Sequence, residues 1–331
     1  MTTMSFSPTS AGITVIRHNG MTIQRYNASL SDDWNRFVAS SKNGTFLFDR
    51  RFMDYHSDRF SDHSLLVYRD KRLYALLPAN EKDGVLVSHG GLTYGGLVMS
   101  SQCSAKGVMD AFKAINDYLR LQHFRSVVYK AIPWIYHQLP AEEDLYALTS
   151  VCNARLTIRD ISSAIVSTHR VKFAESRRSG LRKALRTGLT VKESDDVDAF
   201  WHILNDNLNE KYAVRPVHTA DELRLLRSRF PEQIKLWLVL DGEVPVGGTL
   251  LFLTPQVLHT QYISANAYGK QHGAIDLLFD HLINNIYADY PYIDFGKSTV
   301  SDSADLNEQL IFQKEGFGAR AVCYDTYEYE L

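Results

Sequence analysis

The feature that most constrains this chain is an order of local patterns that occurs twice, about half a chain apart. In the first half, β-rich runs at 64–68 and 73–78 flank the tight turn Arg69–Arg72, which predicts a hairpin. Short strands are predicted at 85–88 and 96–99, around the glycine-rich stretch His89-Gly90-Gly91-Leu92-Thr93-Tyr94-Gly95-Gly96. A helix follows over 105–122, with Val108, Ala111, Phe112, Ile115, Tyr118 and Leu119 at helical spacing. A strand at 127–130 closes the set.

The second half repeats the order. Runs at 234–240 and 244–252 meet across Asp241-Gly242, a strong hairpin signal. A strand at 257–264 leads into a loop at 265–273, a helix over 274–287 and a strand at 292–295. No residue-level repeat accompanies the pattern, and mixed α/β domains also give this order without duplication. Ahead of the first set lie a strand at 22–26 and a helix at 32–40. Between the sets, helices are predicted at 173–188, 198–211 and 219–230. Thr219 with Glu222 makes a capping box for the last of these, and Pro231 stops it. The expected organisation is two lobes, 1–165 and 166–331, with a basic helical insertion at 170–230.

Composition removes several classes of function. A formal net charge of -2 argues against gripping long nucleic acid mainly through phosphates. Three Cys without a CxxC pair fit a reducing compartment and argue against a zinc-thiolate site. The twelve His show no HExxH spacing, so no metal is expected. His89-Gly90-Gly91 resembles an esterase oxyanion loop, but no GxSxG elbow accompanies it. No Walker A or GxGxxG sequence occurs. The first ten residues are polar and no apolar run reaches the roughly 20 residues of a membrane span, so a cytoplasmic location without stable membrane insertion is expected.

Three constellations carry chemistry. Residues 170–186 hold a dense basic cluster whose single acid is Glu175, with Arg178, Arg182 and Arg186 stacked at helical spacing. Either an anionic ligand or acids elsewhere in the fold must answer these charges. The loop Tyr268-Gly269-Lys270-Gln271-His272-Gly273 opens a helix, a context that holds phosphate on backbone N–H groups or serves as a plain turn. Asp294-Phe295-Gly296-Lys297-Ser298 ends a strand, where a carboxylate and a hydroxyl either line a cleft or bond local backbone.

The closing segment carries a resemblance. Asp294-Phe295-Gly296-x-Ser298, Leu306-Asn307-x-x-Leu310 and Gln313-Lys314-Glu315-Gly316-Phe317-Gly318-Ala319-Arg320 are similar to the end of FemAB-like and related GNAT-superfamily acyltransferases. Arg178-Ser179-Gly180-Leu181-Arg182-Lys183-Ala184 and Val246-Gly247-Gly248 fit the same group. The likeness covers 170–325 by motif and 20–165 by architecture.

It implies an α/β (α+β) fold of two tandem GNAT-like lobes, each a mixed, mostly antiparallel twisted sheet flanked by helices, with the active site between them. It implies an N-acyltransferase of cell-wall or polysaccharide type. An acyl group would move from acyl-CoA or another thioester to an amine of a sugar, amino acid or peptide. Fem enzymes use aminoacyl-tRNA instead, so tRNA and an acyl carrier protein are both candidate partners. A degenerate lobe pair that only binds is the third alternative. Lys314 matches the lysine that faces the transfer site in this group, and Arg215 falls near an acceptor-binding arginine. Asp294 and His218 are the candidate bases, with Tyr262 or Tyr94 as acid. Backbone N–H groups at 262–264 are candidates for the oxyanion site. Lys270, Gly273, Arg178 and Arg182 are candidates for the donor, and Ser298, Asn307 and Tyr94 for the acceptor.

Overall fold

The computed structural model describes residues 5–6, 16–18, 20–212, 216–300 and 305–331. The chain divides into two compact units, Met1–Asp160 with Cys323–Leu331, and Ile161–Val322.

In the first unit, six strands pair antiparallel in the order Ser5–Phe6, Ile16–His18, Met21–Arg25, Leu65–Arg69, Arg72–Leu77 and Val98–Met99. The predicted hairpin closes through Asp70 and Lys71, both with positive φ (46° and 67°), as a twisted two-residue turn requires. Helix Ala105–Leu121 begins at Ser104, whose hydroxyl accepts the Gly107 N–H. Its predicted apolar stripe enters the core with Met21, Ile23, Leu65 and Val67. A second group is built on Ser126–Lys130. This strand runs parallel to Val85–Val87 and antiparallel to the far end of Arg320–Glu330. Asn80–Lys82 and Ser61–Asp62 extend the group beyond Val85–Val87. Helix Glu143–Ser150 and strands Arg155–Val166 and Arg320–Glu330 are structural elements that local pattern did not announce.

In the second unit the strand order is Thr190–Glu193, Ile234–Asp241, Val244–Leu253, Val257–Ala265, Tyr292–Lys297 and the later part of Arg155–Val166. All neighbours are antiparallel except Val257–Ala265 with Tyr292–Lys297. A parallel pair needs a crossover. Here it is made by helices Ala267–Gln271 and Ala274–His281 and a π turn at Leu282–Ile286. The helix predicted over 274–287 is therefore α-helical only in its first part. The capping box at Thr219 and Glu222 is formed as read. Phe279, Phe295 and Phe317 pack face and edge at 4.9–5.7 Å and anchor the core under the crossover. Among the described residues, no helix is long and apolar enough to cross a membrane.

The first unit buries ionisable groups with opposed acid responses. Burial pushes His89 down to about 3, helped by the nearby charge of His56 and Lys130. Burial likewise takes His137 down to about 4. Both stay neutral in the fold, whereas the unfolded chain protonates near the ordinary histidine value of 6.5. Their contribution is complete above about pH 6.5 and is lost as pH falls toward the folded values. Buried Asp144, pushed up to about 6, works the other way, but its shift is smaller than that of the two histidines together. Lowering pH from about 7 to about 5 is therefore expected to lower the urea midpoint. His89→Asn, which tolerates the left-handed backbone at this position (φ 52°), is expected to shrink that drop.

Candidate functional site

Along the parallel pair, Val257 faces Tyr292, Leu258 faces Ile293 and His259 faces Asp294. The ladder ends there, although the strands run on to Ala265 and Lys297. On its other side the strand Val257–Ala265 slips register, Leu250 facing Tyr262 but Leu251 facing Thr260, so Gln261 is the extra residue of a bulge. Past the end of the ladder a pocket of about 500 Å³ opens. Ile263, Ser264 and Ala265 line it from one strand and Phe295 from the other, with Phe279 and Phe317 among its apolar residues. Asn207, Lys270, Asn307, Gln313 and Lys314 supply its polar side chains. An apolar chamber with a few convergent polar groups is the common form of a small-molecule site.

Asn207 organises one side. Its amide nitrogen donates to the Ala265 carbonyl at 2.7 Å and to the Ser264 hydroxyl, and its oxygen accepts from Lys270. Lys314 organises the other. It sits on helix Glu308–Gly316, which Asn307 starts by accepting the Leu310 N–H at 3.1 Å. Only 4% exposed, its ammonium donates to the carbonyls of Gly296 and Lys297, both at 2.7 Å, and to the Ser298 hydroxyl at 2.9 Å. Three protons thus meet three acceptors. Burial pulls this amine down to about 8, against the opposing pull of Asp294.

Asp294 is fully buried. One oxygen accepts from the Ser162 hydroxyl and the other meets His259 Nδ1 at 2.7 Å. With the carboxylate ionised, Nδ1 carries the proton and Nε2 becomes the basic nitrogen of His259. On the same strand, the Tyr262 hydroxyl meets His218 Nδ1 at 2.7 Å, and the Trp201 ring stands edge-on at 5.6 Å. Burial raises the Tyr262 phenol, which keeps it protonated at neutral pH.

The structure thus gathers Lys270, Asn307 and Lys314 on one pocket, with Ser298 held by Lys314. Asp294 has no exposed surface with which to take a proton from a substrate; it holds His259 instead. Gly273 does not line the pocket. Its φ is 77°, and a Cβ there would lie 2.2 Å from the Gly180 carbonyl, so it permits close packing of helix Glu175–Thr187. Arg178 and Arg182 both pair with Glu175 at the surface. Tyr94 is a core residue of the first unit, donating to Thr45 at 3.1 Å and packed against Phe48 and Tyr136. Arg215 lies outside the described residues. Sequence reasoning missed His259 and Asn207. Their partners stand 35 and 57 to 63 positions away, and no local motif joins them.

Residues 172–303 match the domain model described as Acetyltransferase (GNAT) domain. The second unit carries a GNAT domain. The fold agrees. The structure of FemX aligns with a TM-score of 0.64 at 12% identity, over 93% of this chain and 97% of that one. L-PGS from Bacillus licheniformis aligns at 0.60 and 11%, over 90% and 91%. A tandem GNAT protein from the clavulanic acid biosynthesis pathway aligns at 0.51 and 10%, over 94% and 98%. No curated protein matches the sequence. The domain match supports acyl transfer in general.

Two substitutions test this geometry in urea unfolding. Gly273→Ala is expected to cost about 1–3 kcal/mol, because backbone rather than a flexible side chain meets the new carbon. Lys314→Met, which leaves the Gly296 and Lys297 carbonyls without their donor, is expected to cost about 1–3 kcal/mol.

Proposed function

We propose that the protein is an N-acyltransferase that moves an acyl group from an activated thioester, such as acyl-CoA, to an amine on a sugar, amino acid or peptide. The pocket at the end of the parallel ladder carries this reading. It offers an apolar space for the acyl arm beside strand backbone that has left its parallel pairing. The N–H groups at 262–264 are the candidate donors to an oxyanion. Transfer is direct: the C–N bond forms and the C–S bond breaks. The nitrogen arrives as an ammonium and gives up two protons. One passes by way of solvent to His259 Nε2, which stands on the same strand outside the pocket lining, with Asp294 holding the ring through Nδ1. The other ends on the departing sulfur, with Tyr262, which meets His218 beside the pocket lining, as the candidate relay. Lys314 acts by fixing the turn at Gly296–Ser298 and by its charge, since its three protons are already donated. Holding amine and carbonyl in register supplies much of the rate, up to about 7–11 kcal/mol in well-oriented systems.

The test is mass spectrometry of acyl-CoAs incubated with amino sugars, amino acids and peptides. An N-acyl product is expected; none from any amine, with the protein folded, sinks the proposal. Turnover only with aminoacyl-tRNA would select a Fem-type donor. Donor binding without turnover, unchanged in Lys314→Ala, would select a binding protein. His259→Gln is expected to lower kcat by about 10²–10⁴ while donor affinity holds.

A further inference from the structure

Helix Glu175–Thr187 is committed to the fold on one side only. There Ala184 is buried, Arg177 bridges to Asp276 at 2.9 Å and Gly180 meets Gly273. The outer side exposes Arg178, Arg182, Lys183, Arg186 and Leu185, the last at 60%. Arg178 and Arg182 share the one carboxylate of Glu175, at 2.7 and 2.5 Å. Lys183 and Arg186 have no ionic partner among the described residues. Beside this helix lies a groove of about 380 Å³. Val171, Phe173, Leu181 and Ile283 give it an apolar lining. Arg170, Lys172 and Arg178 stand on its wall against one acid, Asp280. Arg170 donates to Asn284 and to the Ala288 carbonyl.

We propose that this face docks the second unit onto an anionic lipid surface. Cations at helical spacing repel one another until a negative surface answers them. The chain as a whole carries a net charge of -2, so the excess is local. A phosphate polymer would answer the charge and leave Leu185, Val171 and the apolar groove in water. A bilayer answers both, taking basic groups at the headgroups and apolar side chains at the acyl boundary.

The full chain is sedimented with phosphatidylcholine vesicles, with and without phosphatidylglycerol. Binding is expected only with the anionic lipid, and weaker as salt rises. Joint reversal by Arg178→Glu, Arg182→Glu and Arg186→Glu is expected to reduce it at least about tenfold. Leu185→Ser is expected to remove most of the binding that survives high salt. Acyl transfer to soluble amines is expected to be unchanged in Leu185→Ser, so this test and that of the proposed reaction fail separately. A folded protein that ignores phosphatidylglycerol vesicles overturns the proposal. So does binding indifferent to the charge reversal, or binding that Leu185→Ser leaves intact and tRNA fully displaces.

Discussion

The site in the second unit depends on one buried ammonium. Lys314 joins helix Glu308–Gly316 to the turn that follows strand Tyr292–Lys297. Ser298 then passes the connection on: its N–H donates to Ile161 at 2.7 Å and its carbonyl accepts from Asn307 at 2.8 Å. Helix, strand end and neighbouring strand are thereby tied through one nitrogen. A cation taken out of water is costly unless its donors are all used. Here they are, yet the amine is still pulled downward, so desolvation outweighs the attraction of Asp294. A site held this way has all three bonds while the charge is present and loses one of its donors if the amine gives up a proton.

The parallel pair sets the other half. Because Val257–Ala265 and Tyr292–Lys297 run the same way, the chain must cross over through helices between them. The end of that ladder does two things at once. It leaves strand backbone facing a pocket, and it sets His259 opposite Asp294. Backbone donors and an oriented imidazole thus arise from one topological fact.

Local structure was legible where its cause is local. The Asp70-Lys71 turn, the stripe of Ala105–Leu121 and the capping box at Thr219 each depend on residues a few positions apart. Strands Arg155–Val166 and Arg320–Glu330 were not, because much of each is exposed and their partners lie far along the chain. In the site, Lys270, Asn307 and Lys314 were singled out separately and the fold brings them to one pocket. Asp294 was singled out too, but its burial and its bond to His259 depend on strand register. Gly273 shows the converse: a glycine at a helix start reads as an anion cradle, and the space it leaves is filled by the Gly180 carbonyl.

The strand Arg320–Glu330 makes the first unit discontinuous in the chain. Thr326 to Glu330 pair with Lys130 to Ser126, so the first unit holds an open sheet edge until residues almost two hundred positions later arrive. The second unit, Ile161–Val322, is contiguous in the chain. On the ribosome, the portion made first is completed last, with the edge of Ser126–Lys130 waiting through translation of the whole GNAT domain.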